Sequence, residues 1–271
     1  MLLYNGQSIL EEDLKLPVSN RAFQYNDGFF ETVMVVDGKL RFWQDHLARM
    51  QEAAASLKLE LPVYFTKAAF EQQLLQLAEQ NQAVKYGRLK LKVWRAGAGL
   101  YTPEVKTVEW LATVQPTAAG TTESISIGIC QSIKTIYSPL SHFKGPNAPI
   151  YVLAANEKKQ TDHDDLLLLN PQGMVAELIS SNIFWLLNGK LFTPALDTGC
   201  VNGIARRNML RWCSIQSIKV REAYFTPERL READAIFAAN VTAIRSIKSI
   251  AGEPLRENDT FLKKLSLELG L

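Results

Sequence analysis

Apolar and small residues alternate along Ile125–Ile133, a period of two that predicts a strand. Met1–Tyr4 reads as another, turning at Asn5-Gly6, a pair that tolerates positive φ. A hairpin is expected from Phe29–Val36 through the Asp37-Gly38 turn to Lys39–Trp43. The spacing then changes. Leu47, Met50, Ala54 and Leu57 recur at helical intervals, as do Phe70, Leu74 and Leu77, so two amphipathic helices follow the hairpin. Strands return at Arg88–Trp94 and Thr107–Val114. Further on, strands near 125–133, 165–169, 175–179, 183–187, 190–193, 218–221 and 235–238 are interleaved with helices after Pro149, Asn202 and Pro227.

This order predicts a two-domain α/β (α+β) protein. The small, polar stretch Pro116–Thr122 marks the connection: a small N-terminal α/β domain over 1–116, a linker over 117–123 and a larger mixed α/β domain over 124–271. With 271 residues, 47% of them hydrophobic, the chain can bury a large core. A net charge of +2 with interspersed signs leaves no basic stripe, which argues against nucleic acid and anionic membrane and favours small-molecule partners. With no apolar run near membrane-spanning length and no leader-like start, the expected location is the cytoplasm. Cys130, Cys200 and Cys213 are scattered, and His46, His142 and His163 form no metal-binding pattern, so neither disulfides nor a metal site are expected.

Lys144, within Ser141-His142-Phe143-Lys144-Gly145-Pro146-Asn147, stands between an extended segment and a helix, where a desolvated lysine becomes a nucleophilic amine. A surface loop lysine fits the same letters. Glu177 lies in the apolar run Met174–Ile179, where a charged carboxylate needs a partner unless it faces water. Gly199–Arg207 precedes a helix placed at Asn208–Trp212, so its N–H groups offer either an anion site or a plain cap. Ala239-Asn240-Val241-Thr242 supplies donors at a strand end. Arg49 falls at the margin of its helix's apolar stripe, which allows partial burial as well as solvation. Arg88, Lys90 and Lys92 alternate on one strand face, lining a pocket for acidic substrates or facing water.

Taken in order, Arg21–Thr32, His46–Met50, Lys144 with Asn147, Val175–Glu177 with Ser181–Phe184, Thr193-Pro194 and Asn202–Arg206 resemble the fold type IV pyridoxal phosphate enzymes. This is the class IV aminotransferase family of branched-chain and D-amino acid transaminases and 4-amino-4-deoxychorismate lyases. The resemblance spans nearly the whole chain. It implies pyridoxal 5'-phosphate bound covalently at Lys144, which also moves the proton, with Glu177 on the pyridine nitrogen and Arg49 on the phosphate. Ile204, Ala205 and Asn240 would complete the phosphate cup. Family members usually carry threonine at position 205, so Ala205 offers only its N–H. The resemblance also implies a homodimer.

Thr32 after Phe30-Glu31 resembles the lyases rather than the Phe-Glu-Gly of branched-chain transaminases, and Lys90 matches a lyase lysine suited to a substrate with two carboxylates. Leu100 and Thr102 replace the arginine and histidine of D-amino acid transaminases; lyases, too, often have arginine at 100. The implied activity is a lyase of folate synthesis that acts on an amino substrate, with Thr32 assisting proton transfer and Tyr25, Phe30 and Lys90 binding substrate. A branched-chain-type transaminase is the alternative, and a non-catalytic binding or dimerisation module of the same fold is a third reading.

Overall fold

The computed structural model describes residues 1–271 apart from the side chain of Asp259. The chain divides into two compact units, Met1–Ala119 with Phe143–Pro146 and Gly120–His142 with Asn147–Leu271.

The first unit runs β1 (Leu2–Tyr4), β2 (Gln7–Ile9), α1 (Arg21–Tyr25), β3 (Gly28–Val36), β4 (Lys39–Leu40), α2 (Trp43–Leu57), α3 (Ala68–Gln80), β5 (Tyr86–Arg95) and β6 (Val108–Pro116). Its six strands form one sheet in the order β2-β1-β6-β5-β3-β4. Because side chains alternate along a strand, β3 sends Phe29, Glu31, Val33 and Val35 to a solvent-free face while Phe30 and Thr32 on the other stay half-buried. The apolar stripe of α2, with Leu47, Met50, Ala53 and Ala54 buried, packs against β3. Stacked Phe65 and Phe70, 4.4 Å apart, meet Trp110 edge-on and hold α3 to β6.

The hairpin strand expected over Lys39–Trp43 stops at Leu40. Phe42 takes a left-handed conformation at φ 56° and Trp43 opens α2, so the chain leaves the sheet sooner.

The second unit runs β7 (Ile125–Lys134), α4 (Ala148–Lys158), β8 (Asp165–Leu169), β9 (Val175–Leu178), β10 (Asn182–Leu187), β11 (Lys190–Pro194), α5 (Ile204–Ile215), β12 (Val220–Ala223), α6 (Pro227–Leu230), β13 (Ala235–Ala239), β14 (Ile244–Ile250), β15 (Glu253–Pro254) and α7 (Asp259–Leu269). Its nine-stranded sheet follows β12-β11-β10-β13-β14-β7-β8-β9, with β15 on β14. The central strands are apolar on both sides, as suits a sheet covered on both faces. One face carries Ile183, Trp185, Ile236 and Ile247; the other carries Phe184 and Phe237, packed on Ala205, Met209 and Trp212 of α5 and Leu262 and Leu265 of α7.

The helix placed at Asn208–Trp212 begins four residues earlier, at Ile204, with Gly203 as its N-cap. A Cβ on Gly203 would lie 2.0 Å from Asn182 Oδ1, so only glycine lets this turn sit against β10. Asn182 also donates from Nδ2 to the Val201 carbonyl at 2.8 Å, which fixes the turn from the strand side.

Candidate active site

In the first unit Lys144 lies on a short segment laid against the start of β3. The Phe30 N–H donates to the Lys144 carbonyl at 2.8 Å, and Phe143 meets the Phe29 ring edge-on at 6.3 Å. Gly145 is required by that approach, because a Cβ there would lie 2.6 Å from the Gly28 carbonyl oxygen. Asn26, left-handed at φ 49°, donates from Nδ2 to the Gly145 carbonyl at 3.1 Å. The lysine's backbone is therefore tied to the sheet's first unit and not to the strand before it in sequence.

The same strand carries Phe30 and Thr32, and β5 beside it carries Lys90. In register, Thr32 stands opposite Lys90 and Phe30 opposite Lys92. All four share the half-open face of the sheet, with Lys90 Nζ 4.8 Å from the centre of the Phe30 ring. Lys92 donates to Asn26 Oδ1 at 3.2 Å, and burial together with the Lys90 charge pushes its ammonium below its ordinary pKa. Arg88 and Lys90 are exposed, while Lys92 is half-buried. Tyr25, at the end of α1, lies beneath the Arg21 guanidinium at 5.0 Å and beside Tyr101 at 5.5 Å. A face with cations, a ring and a hydroxyl suits a carboxylate-bearing substrate.

Arg49 is buried at 2% exposure, which excludes the solvated reading. Its Nε and Nη2 donate to Glu31 Oε1 and Oε2 at 2.8 and 2.6 Å, and His46 Nδ1 lies 2.6 Å from the same Oε2. Neither Glu31 nor His46 was singled out from the sequence as chemistry. The signal was present: Glu31 has the parity of Phe29 and Val33, so the strand pattern already turned a carboxylate into the core.

In the second unit Glu177, on β9, is 3% exposed, which excludes the outward-facing reading. The Tyr151 hydroxyl on α4 donates to Oε1 at 2.7 Å and the Val201 N–H to Oε2 at 3.1 Å. Burial, then the Glu177 charge and hydrogen bond, push the Tyr151 phenol far above its ordinary pKa, so it stays a donor. Ile204 and Ala205 form the first turn of α5, where no side chain caps the helix. Their N–H groups belong to the end of a helix that favours an anion.

Asn240 follows β13, and its amide organises a loop. Oδ1 accepts from the N–H groups of Thr242 and Ala243 and from the Thr242 hydroxyl, while Nδ2 donates to the Ser180 carbonyl and Ser181 Oγ. Its own N–H bonds the Ala243 carbonyl. The side chain thus serves the loop's shape and joins it to the turn after β9. Among the described residues no group of three or more His, Cys, Asp or Glu could hold a metal, and no helix is long and apolar enough to cross a membrane.

The family model for class IV amino-transferases matches residues 28–250. The aminodeoxychorismate lyase of Vibrio harveyi is 28% identical over 248 residues, covering 90% of this chain and 89% of that protein. The D-alanine aminotransferase of Bacillus licheniformis is 25% identical over 263 residues, covering 94% and 89%. Among solved structures, the 4-amino-4-deoxychorismate lyase of Pseudomonas aeruginosa superposes with a TM-score of 0.85 at 24% identity, covering 99% of this chain and 98% of that one, a likeness of fold. The match runs from the first residue of β3 to the last of β14 and takes in Lys144, Glu177 and the start of α5, so the chain is a member of the class IV aminotransferase family of pyridoxal phosphate-dependent enzymes.

Proposed function

We propose that the protein is a lyase that converts 4-amino-4-deoxychorismate to 4-aminobenzoate and pyruvate, a step of folate synthesis. The observation that supports this best is the register of β3 and β5, which pairs a hydroxyl, Thr32, directly with a cation, Lys90, on one face of a sheet whose strand also anchors Lys144. The 28% identity to the Vibrio harveyi lyase points the same way.

The residues present fit pyridoxal 5'-phosphate. Lys144 would hold it covalently, and Glu177, a buried carboxylate oriented by a hydroxyl and a peptide N–H, would pair with the ring nitrogen. Arg49, the uncapped first turn of α5 at Ile204 and Ala205, and the loop shaped by Asn240 would hold the phosphate. When bound, the group supplies an electron-poor ring that takes up the electron pair left by a departing proton.

The chain's own residues do the rest. Lys144 Nζ, released as the substrate amine takes its place, would remove the proton from the amine-bearing carbon of the substrate. Lys90 holds a substrate carboxylate while Phe30 and Tyr25 bound the ring, and the Thr32 hydroxyl hands a proton to the leaving three-carbon unit. Loss of that unit makes the remaining ring aromatic, which draws the reaction forward. The enzyme is proposed to act as a homodimer in the cytoplasm.

Incubation with 4-amino-4-deoxychorismate tests the reading, with 4-aminobenzoate as the expected product. No product, alongside turnover of leucine with 2-oxoglutarate, would instead make the protein a branched-chain-type transaminase.

A further inference from the structure

Behind the strand that carries Thr32 lies a second polar cluster that the proposed reaction leaves unused. Glu31 on β3 and His46 and Arg49 on α2 are 1%, 0% and 2% exposed. The helix residues are three apart and so project from the same side of α2 onto the strand. Placing three such groups away from water is costly, and a set of apolar side chains of similar volume would commonly hold a helix on a strand at least as well. What this arrangement adds over apolar packing is direction. The Glu31 carboxylate takes two of the three guanidinium nitrogens of Arg49, Nε at 2.8 Å and Nη2 at 2.6 Å, which sets the plane of the fork and hence the line along which Nη1 lies.

His46 fixes the carboxylate in turn. Its Nδ1 lies 2.6 Å from Glu31 Oε2, and its other nitrogen, Nε2, is buried without a hydrogen-bond partner. A ring that leaves one nitrogen unsatisfied is held for the sake of the other. Arg49 and His46 together keep the Glu31 carboxyl charged, down at about 2 against the opposing effect of burial.

We propose that Glu31 and His46 are positioning residues: they hold the Arg49 guanidinium in the orientation that grips the cofactor's phosphate. This rests on the assignment of Arg49 to the phosphate given above. The pair acts on the phosphate alone, so its loss weakens binding of a phosphorylated ligand and leaves binding of the same ligand without phosphate untouched. A cluster that merely holds α2 to β3 has no such selectivity.

The test uses the full-length chain freed of cofactor and titrates it with pyridoxal 5'-phosphate and, separately, with pyridoxal, following absorbance of the bound aldehyde. For E31Q and for H46L the dissociation constant for pyridoxal phosphate is expected to rise about tenfold, the scale on which a supporting residue commonly affects a bound ion, with that for pyridoxal unchanged. H46N, which offers an amide N–H near the place of Nδ1, should restore most of the loss. E31D, which keeps the charge but draws it back by one methylene, carries the same test if E31Q does not fold. An equal rise for both ligands, or none for either, would overturn the positioning role provided that R49A itself discriminates between them. Failure of R49A to discriminate would overturn the assignment of Arg49 to the phosphate, and the positioning role with it.

Discussion

Lys144, the proposed nucleophile, is placed by its backbone, through the Phe30 N–H on its carbonyl and the bare Cα of Gly145 beside Gly28. Thr32 has the complementary position, its hydroxyl set beside Lys90 by strand register. Thr32→Val keeps the shape and removes the hydroxyl proposed to carry the proton, so on the lyase reading kcat for 4-aminobenzoate formation should fall about 100-fold with KM little changed. An unchanged kcat would remove Thr32 from the reaction. Glu31 gives a pH prediction. Its carboxyl is lowered from 4.5 to about 2 in the folded chain, so the stability it contributes is fully present above the ordinary carboxylate range and is lost as pH falls towards 2. E31Q should therefore flatten the drop in Tm between pH 4.5 and 2, and an equal drop in both proteins would contradict this. At this scale the sequence was most legible where a residue broke its own strand's pattern, as Glu177 does in an apolar run. Glu31 breaks its strand in the same way, yet its partners lie 15 and 18 positions away on a helix whose stripe already looked complete.

Elements were legible where period and punctuation agreed. Helices α2 and α3 of the first unit and strands β3, β5 and β7 follow their apolar spacing closely. The isoleucines of β14, at 244, 247 and 250, recur every three residues and so lack the period of two that marks a strand. It is the sheet that makes it a strand, pairing it with β13 and β7. α7 was missed although Asn258 caps it by accepting from the Phe261 N–H and Leu262 and Leu265 are buried. The stretch Gly199–Arg207, read as preceding the helix, contains its first turn, because the lack of a Cβ on Gly203 lets α5 begin against Asn182. Two substitutions probe single elements. Gly145→Ala puts a methyl 2.6 Å from the Gly28 oxygen and should cost about 1–3 kcal/mol while loosening the segment that carries Lys144. Unaltered stability and cofactor attachment would show that the segment has room to shift. Asp165, at the start of β8, is raised from 3.8 to about 6 by burial, although the N–H groups of Leu166 and Ile179 and the charges of Arg245 and Lys158 oppose the rise. Folding then binds a proton, so stability declines as pH rises through that window. Asp165→Asn keeps the acceptor oxygen and should raise Tm by roughly 2–4 °C at pH 8 but hardly at pH 4. An equal gain at both pH values would refute the cause given.

For the molecule as a whole, the sequence placed a connection at 117–123. Chain contacts assign Thr117–Ala119 to the first unit and Gly120 onward to the second, and they send Phe143–Pro146 back to the first. No local pattern could reveal that return, because its causes are contacts with Phe29 and Gly28, more than a hundred residues earlier. The consequence is functional: the candidate nucleophile belongs with the sheet that carries Thr32 and Lys90, while Glu177 and the first turn of α5 belong with the other unit. All of the proposed chemistry depends on the amine at 144 being the point of covalent attachment. Protein saturated with pyridoxal 5'-phosphate, reduced with borohydride, digested and mapped by mass spectrometry should carry the pyridoxyl group on the peptide containing Lys144 and on no other. Label on a different lysine, or on none, would contradict it.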